Sequence, residues 1–321
     1  MNILIIGLGV IGTTYGYVFS KAGHHVEHYI RKSSKNYNIK DLKVELLDGR
    51  VNSKGENVQD NYIVNKTTNQ QQYDLIFVSV PSGKIESVLE ELNKEKITGP
   101  ILLGCGIWEK RSYIEEIMKD KEWILGYPVA GGNITDGTLY CCVFNNFMLE
   151  TKEKTNISNY DDIKELFNQS QIKLEQPYDM LEWIWLHMAI NAGVVSVAGR
   201  YGDINDVSSS AEGLMNSTKK LAEAVRSIRE TSKIVESRGV TLKHYNNELF
   251  AYKLPTIISS PIMKRMFATN ILTRKIMTLH SNLSDLLYVC QCVYDEGKKN
   301  KIEAPIFYNN YEMVQANFNE K

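Results

Sequence analysis

Paired cysteines are missing from this sequence. It has five, Cys105, Cys141, Cys142, Cys290 and Cys292, an odd number with no CxxC spacing. That excludes a disulfide framework and the structural zinc patterns, so no metal site is expected and a reduced, cytoplasmic protein is. Cys141 and Cys142 are neighbours on a predicted strand and should face opposite sides of it. An excess of one charge is also missing. Lys plus Arg number 37 and Asp plus Glu 38, a formal net charge of -1. That balance gives no reason to expect nucleic acid or a membrane as a partner. No uninterrupted apolar stretch reaches the roughly 20 residues that span a bilayer. The apolar start at Met1 to Ile6 is too short for a signal peptide and has no basic flank. It leads into a glycine turn and not a cleavage site. Internal repeats and long low-complexity linkers are absent as well.

What is present is an ordinary soluble composition, 43% hydrophobic and 23% charged, in 321 residues. That length suffices for two domains. Residues 2–6 are wholly apolar, as in a parallel strand buried on both faces. Gly7, Gly9 and Gly12 follow, then a helical pattern over 10–22 that stops at Gly23, then a strand from Val26 to Ile30. Residues 33–72 are polar, with short alternating pieces that predict hairpin-like strands and loops, and a loop at Asn69-Gln70-Gln71-Gln72. Strands are predicted at 74–80, 100–103 and 123–126, with helices near 84–95 and 108–119 and a turn at Pro81-Ser82-Gly83 between them. Thr138 to Phe144 and Phe147 to Glu150 read as a strand pair around an Asn145-Asn146 turn. From about residue 177 the texture becomes helical, with helices predicted over 179–198, 211–238, 244–253 and 275–300. The fold class is therefore α/β: a Rossmann-type doubly wound parallel sheet in 1–176, followed by an all-helical domain in 177–321.

The glycines carry chemistry in this context. A GxGxxG that follows a strand and opens a helix, with a second strand behind it, is the dinucleotide fingerprint. Gly7 permits the tight turn, Gly9 lets the backbone approach a pyrophosphate, and Gly12 lets helix and strand pack closely. Leu8, Val10 and Ile11 complete the turn, whose helix N-terminus favours an anion. The end of the second strand selects the cofactor. An Asp or Glu there would bind the ribose 2′-hydroxyl of NAD. This chain has Arg31, Lys32 and Ser33 instead, a set suited to the 2′-phosphate of NADP, with Arg31 able to pair bidentately. Glu27 lies inside the strand, too early to reach the ribose.

Several further segments share one pattern: Ile101-Leu102-Leu103 with a glycine after it, Leu125 to Gly132 with Asp136-Gly137, Trp185 to Asn191, and Asp285 to Pro305. Together with the glycine turn and Arg31, they resemble the ketopantoate reductase (2-dehydropantoate 2-reductase) family. The resemblance implies hydride transfer from NADPH to a small 2-oxo acid in a cleft between the two domains, and a homodimer. It implies His187 at the position of the family's catalytic Lys, and Asp285 at the position of its Glu. It sets Asn205 and Thr273 on the substrate side. Asn191, four residues after His187 on the same helix face, is a candidate for ordering substrate or cofactor; Arg274 and Lys275 read as a solvated helix face or as partners of a substrate carboxylate. The resemblance also shows departures. Gly106 stands where the family has an Asn, and Pro81 where it has a Lys, with Lys84 nearby. An imidazolium can act as a general acid near neutral pH, so His187 could replace a Lys. Two other readings stay open: a non-catalytic NADP-binding relative acting as a sensor or partner protein, and a different dehydrogenase of the wider superfamily.

Overall fold

The computed structural model describes residues 1–67, 70–81, 83–203, 205–279 and 282–319. Asn69 of the polar loop, Ser82 of the expected turn and His280 lie outside them. The chain divides into two compact units, Met1–Leu181 and Glu182–Lys321.

The first unit runs β1 (Asn2–Ile6), α1 (Val10–Lys21), β2 (His25–Tyr29), β3 (Asp41–Gly49), β4 (Glu56–Ile63), β5 (Leu75–Val78), α2 (Ile85–Lys94), β6 (Ile101–Gly104), α3 (Arg111–Met118), β7 (Trp123–Thr135), β8 (Thr138–Leu149), α4 (Tyr160–Gln169) and β9 (Lys173–Glu175). The strands make one sheet in the order β2-β1-β5-β6-β7-β8-β3-β4, with β9 beside β8. The run β2-β1-β5-β6-β7 pairs in parallel throughout, as do β3 with β8 and β8 with β9. The β7/β8 and β3/β4 pairs are antiparallel. Ile3, Leu4 and Ile5 of β1 are completely buried, which explains their unbroken apolar run. α1 is buried continuously from Gly12 to Phe19. Its Tyr15 and Phe19 meet Phe77, Phe147 and Phe167 in an aromatic cluster with ring centroids 4.6–6.4 Å apart.

One sequence expectation is corrected here. Asn145-Asn146 is not a turn: β8 is continuous from Thr138 to Leu149 and runs through both residues. The hairpin turns at Asp136-Gly137, both with positive φ (49° and 73°), as a two-residue primed turn requires. β7 is correspondingly longer than expected, with a register shift between Pro128 and Ala130. Helix α4 and strand β9 had no sequence expectation.

The second unit holds α5 (Met180–Tyr201), whose first turn contains the division point, then α6 (Val207–Met215), α7 (Thr218–Ser237), α8 (Asn246–Lys253), α9 (Thr256–Thr269), α10 (Ile271–Leu279), α11 (Leu283–Lys299) and α12 (Pro305–Asn319). The helix expected over 211–238 is two helices. The Ser217 side chain accepts from the Lys220 amide and caps a new start, which costs less than burying an uncapped terminus. The expected 275–300 helix is likewise split into α10 and α11. α9 and α12 had no sequence expectation either. Pro261 inside α9 interrupts its pattern, and α12 begins on a proline. α5 is long and apolar enough to cross a membrane, but 67% of its apolar window is buried within the structure. At Gly193 a Cβ would lie 2.9 Å from the Ile228 amide nitrogen, so α5 and α7 cross at backbone contact.

Candidate functional site

The glycine turn is built as its pattern requires. Gly7 has φ +82°, a conformation only glycine adopts without strain. Its amide donates to the Tyr29 carbonyl at 2.8 Å, which fixes the turn against the end of β2. Gly9 is the N-cap of α1. A Cβ on Gly9 would meet nothing within 4 Å, so the protein leaves open space in front of this backbone. A Cβ on Gly12 would lie 2.7 Å from Ile5 Cγ2 and 2.9 Å from Ser79 Oγ, so Gly12 sets the close approach of α1 to the sheet. The first turn of α1 has no acidic residue. Its free amides and positive dipole end therefore suit a phosphate.

Beneath the turn lies a buried histidine to which the sequence assigned nothing. His28 Nδ1 is 2.9 Å from the Gly7 carbonyl oxygen, and His28 Nε2 is 2.8 Å from the Tyr62 hydroxyl. The carbonyl can only accept, so Nδ1 carries the proton and Nε2 accepts from Tyr62. Burial lowers the pKa of His28 to about 4, which keeps it neutral. Gly16 makes room for the pair: a Cβ there would be 2.8 Å from the Tyr62 hydroxyl. Tyr62 comes from β4, so the polar hairpin of residues 41–63 reaches under the glycine turn.

Beside the turn is a cavity of about 350 Å³. Gly7, Leu8, Ile30 and Val80 line it, as do Arg31, Ser34 and a face of α2 with its N-cap: Lys84, Ser87, Val88, Glu91 and Leu92. The spacing of that face is i, i+3, i+4, i+7, i+8, one stripe of a helix, and this is the signal that could have found it. Arg31 Nη2 donates to the Ser87 carbonyl at 3.2 Å, and Arg31 Nε lies 4.0 Å from Glu91. The Tyr29 hydroxyl donates to Glu91 at 2.7 Å, which holds that carboxyl below its usual range. Arg31 therefore lines the cavity beside the glycine turn. Lys32 and Ser33 are exposed and do not line it; Ser34 and Lys84 do. Val10 and Ile11 begin α1 half-buried. Glu27 is buried and accepts from the Tyr73 hydroxyl at 2.6 Å, facing away from any ribose role.

In the helical unit, His187 is half-buried on α5 and stacks on Trp183, with centroids 4.9 Å apart and an 11° interplanar angle. Burial lowers its pKa to about 4. At neutral pH it is an imidazole, able to donate a hydrogen bond but not to serve as the imidazolium acid that the sequence suggested. Asn191 follows one turn later on the same face, also half-buried. Thr273 lies in the first turn of α10, its amide donating to Asn270 at 2.9 Å. Asp285 lies in the first turn of α11, its amide bonded to the cap residue Asn282 at 3.3 Å. Asn205 is exposed in the turn before α6, and its side chain donates to Asp203 at 2.9 Å. Arg274 bonds to Asn216 and lies 3.7 Å from Glu212, which turns it toward its own unit.

The family model described as ketopantoate reductase PanE/ApbA matches residues 3–104. No curated protein matches the chain. Among solved structures, a dimeric ketopantoate reductase from Staphylococcus aureus is similar over 99% of this chain and 98% of its own, with 12% identity and a TM-score of 0.64. D-mandelate dehydrogenase, in a ternary structure with NADH and anilino(oxo)acetate, is similar over 100% and 99%, with 15% identity and a TM-score of 0.66. Yersinopine dehydrogenase with NADP+ bound is similar over 100% and 91%, with 11% identity and a TM-score of 0.65. The chain shares the fold of these structures over nearly its whole length, and the family model covers its first third.

Proposed function

We propose that the chain is an NADP-dependent oxidoreductase acting on a CH-OH/C=O pair, and that it reduces a small 2-oxo acid. The observation that carries this reading is the pair of cations, Arg31 and Lys84, on the cavity beside the glycine turn. The one acid on that lining, Glu91, accepts from the Tyr29 hydroxyl, and the end of β2 offers no acid. Such a pair favours a 2′-phosphate over a free 2′-hydroxyl.

NADPH, when bound, supplies the hydride. The α1 N-terminus and the open backbone at Gly9 hold the pyrophosphate. Arg31 and Lys84 hold the 2′-phosphate, and Lys32 and Ser33 add outer contacts. Negative charge develops on the carbonyl oxygen as the hydride arrives, so a fixed donor aimed at that oxygen lowers the barrier. His187 takes this task as a neutral imidazole, and water delivers the proton that completes the alcohol. Asp285 retains a carboxylate at the family's acidic position, while Asn191, Asn205 and Thr273 offer substrate-side hydrogen bonds. A cytoplasmic homodimer belongs to the same reading. The neutral state of His187 and the bare Gly106 favour one competitor, a non-catalytic NADP-binding sensor or partner protein.

NADPH oxidation with a panel of 2-oxo acids decides between them. Turnover of at least one acid is expected, with NADPH bound more tightly than NADH. Tight NADPH binding with no acid turned over sinks the reductase reading and leaves the sensor. A His187→Ala variant should lose kcat; undiminished turnover would remove that residue's role.

A further inference from the structure

The charge balance of the whole chain conceals a segregated stretch. Between Glu248 and Asp285 there is no acidic residue, while Lys253, Lys264, Arg265, Arg274 and Lys275 are basic. Arg274 faces Glu212 at 3.7 Å. Among the described residues, Lys253, Lys264, Arg265 and Lys275 have no acidic partner.

The same stretch carries apolar side chains on its outside. Ile257 is 82% exposed, Phe250 65%, Ile271 63% and Ile262 57%, with Ile258 and Met266 also exposed. α9 is inverted relative to an ordinary surface helix. It buries Ser259 and Ser260 with Met263 and Phe267, and turns Ile257, Ile258, Ile262 and Met266 outward beside Lys264 and Arg265. An outward apolar face of this size marks a surface that something covers.

Charge selects the occupant. A two-fold interface would set this acid-free, basic stretch against its own copy, and like charges would oppose the association. A bilayer surface bearing anionic lipid satisfies both features together. Isoleucine, phenylalanine and methionine enter the headgroup boundary, while Lys and Arg meet lipid phosphates. We propose that the face running from Phe250 in α8 through α9 to α10 docks the protein on anionic lipid surfaces, lying on the membrane without crossing it. This inference is independent of the cofactor reading.

The test is co-sedimentation of the full chain with phosphatidylcholine vesicles, with and without phosphatidylserine. Binding is expected only with phosphatidylserine. Rising salt should weaken it, by roughly fivefold for each Lys or Arg whose attraction to the lipid is screened out. Ile257→Glu with Ile262→Glu should lower the partition by at least about tenfold. Lys264→Glu with Arg265→Glu should do the same. All four side chains are exposed, so melting temperatures should hold, and Ile63→Glu on β4, also exposed, should change nothing. Absence of binding, equal binding to neutral vesicles, or binding untouched by both variants overturns the proposal. So does a solution dimer that Ile257→Glu with Ile262→Glu splits into monomers, because the face would then belong to a second copy.

Discussion

The buried His28 makes stability depend on pH in a way that one substitution can isolate. Its pKa falls from 6.5 to about 4 because burial penalises the charged ring. The unfolded chain therefore takes up the proton first as pH drops through 6.5, and the folded chain resists until about 4. His28 weakens the fold progressively across that window and has no effect above it. The two pKa values give a loss of about 2 kcal/mol on going from about pH 7 to about pH 5. For a unit of this size that is a fall in melting temperature of roughly 4–8 °C. His28→Asn keeps a donor for the Gly7 carbonyl and does not titrate. The assay is calorimetric melting of both proteins across this pH range, following the transition of the α/β unit. Every other group titrates equally in both, so the difference reports His28. Parallel melting curves for the two proteins would refute the assignment of a neutral, doubly bonded imidazole under the turn.

Four further outcomes test the site. Tyr62→Phe leaves His28 Nε2 buried without its donor and should cost about 1–3 kcal/mol in urea unfolding. Gly9→Ala should melt like the parent, since its Cβ meets nothing, yet bind NADPH about tenfold more weakly if a ligand fills that space. Gly12→Ala should instead destabilise by about 1–3 kcal/mol, because its Cβ collides with Ile5. Arg31→Ala and Lys84→Ala should each weaken NADPH by roughly tenfold while sparing NADH, as read by fluorescence titration; an equal loss for both nucleotides would remove the 2′-phosphate role.

The strand, glycine turn and helix of the first 32 residues were legible because each local signal agrees with the fold. The apolar run of β1 reports burial on both faces, and Gly7 reports a positive φ. Arg31 was legible because it lies at a fixed place after β2. His28 was not, because its partners stand 21 and 34 residues away in sequence and no spacing rule joins them. The hairpin was misplaced because Asn145-Asn146 also has turn chemistry; β8 pairs with β3 as far as Phe144, resumes against β7 at Phe147 and sets Asn146 against Lys173 of β9, so the flanking ladders carry the strand through both residues. α9 was hidden because its outward face is apolar and its buried face carries two serines, the reverse of the pattern that marks a surface helix. The departure of His187 from an acid role follows from burial, which a one-dimensional sequence does not display.

The position of β3 in the sheet has a consequence for how the chain is made. β3 comes early, at Asp41–Gly49, but its inner neighbour β8 ends at Leu149. On the ribosome, that edge of β3 must wait about a hundred residues for its partner. During the wait it presents unpaired backbone groups, the condition that invites aggregation and chaperone capture. A fragment ending near residue 104 would keep the glycine turn, α1 and β1 but never complete the sheet, so the smallest piece of this unit that can be expressed alone must extend through β8.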